Sequence, residues 1–113
     1  MHNGQDLMME MQGRIKMLDT ALQQLGNRGR AYAQTERDYR VALAKKILKE
    51  RDKGTPVTII SDICRGDHEI AGLKFNRDVA EITYDAAKEA CNVYKIEIRT
   101  LDEQISREWG NSK

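Results

Sequence analysis

The sequence predicts an all-α fold, a long antiparallel helical hairpin of coiled-coil type closed by a short connector cap. Three observations predict it. Two long stretches carry apolar residues at alternating three- and four-residue spacing, the a/d pattern of packed helices. They are separated by Lys53-Gly54-Thr55-Pro56, where glycine can take the left-handed terminating conformation and proline cannot continue a helix. The composition, with 33% charged residues and one proline, is that of helices bathed in solvent and not of a thick globular core. At 113 residues, a single helical domain over 1–113 is expected.

The first helix is expected over about residues 6–53. Its repeat runs Met8, Met11, Ile15, Leu18, Leu22, Leu25, Gly29, Tyr32, Glu36, Tyr39, Leu43. Near its end the apolar face widens through Val41, Ala44, Ile47 and Leu48, while Lys46 stands where the repeat calls for an apolar residue. Gly26-Asn27-Arg28-Gly29 is the weak point, because two glycines inside a helix cost about 1 kcal/mol each relative to alanine. An unbroken or kinked helix is the expectation. The alternative is a turn there, giving a three-helix arrangement in which Met8–Leu25 folds back.

The connector, residues 54–66, is expected to form a short helical cap with Thr55 as its capping residue and Pro56 in its first turn, although its β-branched content argues equally for an extended piece. Val57, Ile60 and Ile63 would then plug the closed end. A second helix is expected over about residues 68–109, with Asp67 accepting its orphan amide hydrogens and Glu69 near its positive end. Its repeat is Ile70, Leu73, Arg77, Ala80, Tyr84, Ala87, Cys91, Tyr94, Ile98, Leu101, Ile105. Antiparallel partners have position numbers of constant sum. A sum of 119 or 120 sets Ile15 by Ile105, Leu18 by Leu101, Gly29 by Ala90, Tyr32 by Ala87 and Tyr39 by Ala80, so that large residues meet small ones.

The second helix carries another apolar line, Phe75, Val79, Ile82, Ala86, Val93 and Ile96, opposite its first. One hairpin cannot bury both. Burying a large apolar side chain is worth about 1.5–3 kcal/mol, so this line predicts a partner surface. A twofold homodimer, completing a four-helix bundle, is the expected one. A folded-back N-terminal helix or a foreign protein are the other occupants.

Nineteen basic and eighteen acidic residues leave a net charge of +1 and no global field for nucleic acid or an anionic membrane. The distribution is uneven. From Gly26 to Gly54, nine basic residues face four acidic ones, a net +5, whereas the part after Gly54 has eight against eleven, a net −3. Mutual pairing of the two helices is the expected outcome. Contact of Arg28, Arg30, Arg37 and Arg40 with an acidic partner or a nucleic-acid backbone is the sharper alternative.

Gly26-Asn27-Arg28-Gly29 has the Gly-x-x-Gly form of an RNA-clamping module but lacks the flanking strands. No phosphate loop or dinucleotide fingerprint occurs. With His2 and His68 the only imidazoles, no metal site is expected, and no cofactor. Cys64 beside Asp67-His68-Glu69 is the one cluster of nucleophile, base and carboxylate, but capping and packing account for it, and no catalytic residue is expected. Two cysteines form no disulfide framework, no signal-peptide pattern opens the chain, and no apolar run spans a bilayer.

Ala42-Leu43-Ala44-Lys45-Lys46-Ile47-Leu48-Lys49, then Gly54-Thr55-Pro56-Val57-Thr58-Ile59-Ile60, then Ala80-Glu81 onward, resembles small helical accessory proteins of phages and prophages of Gram-positive bacteria. The resemblance covers most of the chain after Gly26 and includes no catalytic motif. It implies a non-enzymatic protein of the bacterial host's cytoplasm that binds, and in some cases inhibits, a host protein or nucleoprotein complex such as a defence nuclease, in the manner of an anti-CRISPR. The alternative is a nucleic-acid-binding accessory factor in phage DNA metabolism. The second apolar line would serve self-association and the four arginines an acidic partner.

Overall fold

The computed structural model describes residues 4–111 and is helical almost throughout: α1 spans Gly4–Asp52, α2 Val57–Gly66 and α3 His68–Asn111. No strand occurs among the described residues. α1 is continuous through Gly26-Asn27-Arg28-Gly29, which removes the three-helix alternative. The chain divides into two compact units. The first comprises Met1–Asn27 with Asp85–Lys113, the second Arg28–Tyr84.

In the first unit, α1 and α3 run antiparallel. Arg14 Nε lies 2.9 Å from Glu97 Oε2, and Trp109 Nε1 is 3.7 Å from where a Cβ on Gly4 would stand. The α3 repeat from Ala87 to Ile105 is buried or half-buried at every position, with Cys91 and Leu101 innermost. On α1, however, the inward line is Leu7, Met11, Arg14, Leu18, Ala21 and Leu25, while Met8, Ile15 and Leu22 lie at the exposed edge. The expected line runs from Met8 to Leu43 as a strict seven-residue repeat. An α-helix drifts by about 20° per heptad against such a repeat, so over roughly five heptads the face moves by one residue.

In the second unit, the close of α1 forms a Schellman motif, the amide of Thr55 bonding the carbonyl of Glu50 at 3.1 Å and that of Gly54 the carbonyl of Arg51 at 2.9 Å. Gly54 adopts φ 81°, a conformation that costs a side chain strain and glycine none. α2 follows as the cap helix. Thr55 does not cap it, because its hydroxyl is turned back to donate to Glu50 Oε2 at 2.8 Å, and the position before the helix is Pro56. Nor does Val57 plug the closed end. Val57 is 73% exposed, and the buried residues of α2 are Ile60 and Cys64, at 6% and 2%, one turn apart on its inner face. Ile63 is half-buried.

The register also differs from the expected one. Gly29 approaches Tyr84, Glu36 bonds Arg77 and Lys46 pairs with Asp67, each pair summing to 113 and not to 119 or 120. The physical reason is the asymmetry of the connector. Once Lys46 has met the first residue before α3, the remaining turns of α1 have no α3 to oppose them, and α2 fills that space. The mid-chain symmetry assumed for the hairpin ignores that α2 takes up packing surface of its own. Large still meets small at this register, since a Cβ on Gly29 would lie 3.2 Å from Tyr84 Cε1, and the Tyr84 ring then reaches Tyr32 at 6.0 Å between centroids.

Candidate functional site

The second unit holds two constellations that sequence reasoning did not assemble: a polar clamp and an apolar groove. In the clamp, Lys46 Nζ lies 3.2 Å from Glu50 Oε1 and 3.4 Å from Asp67 Oδ1, and Lys53 Nζ approaches Glu50 Oε1 at 3.5 Å. Glu50, 5% exposed, is the buried charged residue of the core. A buried carboxylate persists only if paired, and these partners with the Thr55 hydroxyl satisfy it. Asp67 caps α3 as expected, accepting the Ile70 amide hydrogen at 3.1 Å. Lys46, which interrupts the α1 repeat, is therefore the residue that joins the end of α1 to the start of α3. Glu50 is not among the candidate residues read from the sequence. Its only signal in the sequence was its position one turn beyond Lys46 on the inward line.

A similar arrangement lies farther along the seam. Arg77 donates to Glu36 Oε2 at 3.2 Å and to Asp78 Oδ1 at 2.8 Å, and its guanidinium stands 4.8 Å over the Tyr39 ring. Arg40 pairs with Glu36 on its own helix. Glu36–Arg77 joins acid on α1 to base on α3, whereas Arg14–Glu97 and Lys46–Asp67 join base on α1 to acid on α3 or at its cap. Wholesale pairing of a basic α1 with an acidic α3 is not the arrangement. Arg28, Arg30, Arg37 and Arg40 all lie on exposed positions, and Arg28 and Arg37 make no ion pair among the described residues.

These pairings set the response to acid. The Thr55 hydroxyl and Lys46 hold the Glu50 carboxyl below its ordinary value of 4.5, the Ile70 amide and Lys46 hold Asp67 below 3.8, Arg40 and Arg77 hold Glu36 below 4.5, and Arg77 holds Asp78 below 3.8. A carboxyl whose folded value is depressed contributes stability that is complete above its unfolded value and lost as pH falls through the folded one. The second unit is expected to hold its stability down to about pH 5 and to lose it progressively below. Urea midpoints measured from pH 7 to pH 3 check this. A Glu50→Gln variant should show a shallower decline, and a decline as steep as that of the wild type would remove Glu50 from the account.

The groove has a volume of about 660 Å³. One wall is the α1 face Tyr39, Leu43, Ile47 and Arg51, at steps of four residues; α2 and the first turns of α3 supply the rest. Ile60, Cys64 and Ile70 are its buried floor, and Phe75, 67% exposed, stands on its rim. Arg51, Arg65 and Lys74 are its basic side chains and Asp78 its carboxylate. The widening of the α1 face at Ile47 and Leu48 was visible in the sequence. α2 covers this widened face only in part, and Leu48 remains 59% exposed.

The expected self-association line is exposed in each unit taken separately: Phe75, Val79 and Ile82 in the second, Ala86, Val93 and Ile96 in the first. Cys64 is buried in the groove floor and His68 is exposed, and neither side chain makes a hydrogen bond among the described residues. Cys91 is likewise a buried free thiol. Among the described residues no three His, Cys, Asp or Glu side chains gather as a metal site would require, and no helix is long and apolar enough to cross a membrane. Met1 to Asn3, and with them His2, lie outside the described residues. No protein-family model, no curated protein and no solved structure matches the chain.

Proposed function

We propose that the protein is a non-enzymatic binding protein that docks a macromolecular partner through the second unit, and that in a phage or prophage setting the partner is a host protein or nucleoprotein complex which it inhibits or sequesters. The observation that carries this reading is the amount of large apolar side chain left in water beside a groove. Val57, Phe75 and Ile82 are each at least two-thirds exposed, and full burial of each would be worth about 1.5–3 kcal/mol. Large apolar side chains left exposed beside a groove are a mark of interaction sites. Self-association belongs to the same proposal, with Phe75, Val79, Ile82, Ala86, Val93 and Ile96 as the residues expected to serve it.

A nucleic-acid-binding role is the second reading, favoured by Arg28 and Arg37, exposed and free of ion pairs among the described residues. The two readings separate by experiment. Affinity purification from the cells that encode the protein should recover one partner in stoichiometric amount with the wild type and lose it with Phe75→Asp/Ile82→Asp. Light scattering on the same two proteins reports whether a second copy is that partner. Equal recovery with the variant overturns the apolar-docking reading. Loss of recovery on Arg28→Glu/Arg37→Glu, with strong salt dependence, favours nucleic acid.

A further inference from the structure

We infer that the groove between α1, α2 and α3 of the second unit receives an acidic amphipathic helix from a partner protein. The inference rests on the reading of the chain as a binding protein and names the chemistry of what is bound. Shape comes first. From Tyr39 to Arg51 the α1 wall is about 18 Å long at 1.5 Å per residue, the length of somewhat more than three helical turns. Its residues recur every fourth position, so the wall runs along a helix axis and accepts side chains spaced one turn apart. Three helices already enclose it, and a fourth laid along the opening would complete a four-helix arrangement.

Charge decides which helix. Arg51 has no ion pair among the described residues, and Arg65 has only a 3.9 Å approach to Asp62 in which both side chains are largely exposed. The single carboxylate lining the groove, Asp78, already accepts from two nitrogens of Arg77 and lies 3.6 Å from Lys74. The groove thus presents an apolar floor beside Arg51, which pairs with no carboxylate among the described residues, and Arg65, whose one partner is the exposed Asp62. A second copy seated groove to groove about a twofold axis would set these cations against their own duplicates, which opposes that occupant. A helix with apolar residues at i, i+4, i+7 and i+11 and glutamate on its flanks satisfies floor and rim together.

The test uses the full-length protein and two labelled peptides of about 16 residues, enough to fill the groove with a turn to spare. Both carry leucine at the same four positions; one has glutamate on its flanks and the other lysine. Fluorescence anisotropy is expected to show the glutamate peptide binding about tenfold more tightly, with the preference reversed by Arg51→Glu/Arg65→Glu and both peptides released by Phe75→Asp. Circular dichroism checks that these surface variants keep their helices. Equal affinity for the two peptides, or a preference unchanged in the double variant, overturns the proposal. So does a wild-type dimer in sedimentation that Phe75→Asp converts to a monomer while neither peptide binds. If the purified partner survives Arg51→Glu/Arg65→Glu but not Phe75→Asp/Ile82→Asp, the acidic-helix inference alone falls and the binding reading stands.

Discussion

Truncation of Ile60 to alanine is expected to lower the stability of the second unit by about 2–5 kcal/mol, the range for emptying a buried aliphatic site. Val57→Ala, three residues earlier on the same helix, should change it by less than about 0.5 kcal/mol. The contrast follows from exposure, 6% against 73%. It also decides between two accounts of α2, since the sequence pattern alone placed both residues in the plug. The core here is thin: Ile60, Cys64, Ile70 and Ala80 are the buried apolar residues of this unit. Ile60 floors the open groove, so its truncation leaves no closed cavity, which puts the expected cost in the lower part of the range. Urea unfolding followed by circular dichroism measures both variants. Equal effects at the two positions would mean that α2 does not pack by its Ile60–Cys64 face.

Replacing Gly29 by leucine should destabilise by about 1–3 kcal/mol, the cost of forcing extra methylenes into a filled space. Gly13→Ala should stabilise by about 1 kcal/mol, the difference in helix propensity. Both glycines lie inside α1. What separates them is the facing surface. A Cβ at Gly29 would meet Tyr84 Cε1 at 3.2 Å, whereas nothing lies within 4 Å of one at Gly13. Tyr84 cannot easily withdraw, because its ring packs on Tyr32. A leucine at position 29 that leaves stability unchanged would show that the aromatic pair has room to shift, and the account of this layer would be wrong.

The α3 repeat, the terminator at Gly54 and the Asp67 cap are local signals, and all three are legible in the chain. The register was legible too, but in residues that were treated as interruptions. Glu36 and Lys46 break the α1 repeat, Arg77 breaks that of α3, and Asp67 precedes α3. Matching the misfits, acid to base, yields the one sum that satisfies both Glu36–Arg77 and Lys46–Asp67. Polar residues in an apolar seam specify alignment because a misaligned partner leaves a desolvated charge unpaired, whereas apolar residues slide past one another at small cost. The groove left no comparable signal. Its lining comes from three helices, and Ile47, Cys64 and Phe75 share no periodicity that a one-dimensional pattern could show.

By itself, the sequence determined the two long helices, the terminator at Gly54 and the Asp67 cap. Propensity, capping and the positive φ of Gly54 act within a few residues, so their causes and effects lie side by side along the chain. Only tertiary structure decided how far α3 slides along α1, which residues of α2 turn inward, and that Glu50 would be buried. Each of these depends on whether a side chain finds its partner across a gap in space, and desolvation penalises the wrong choice only once the helices have met.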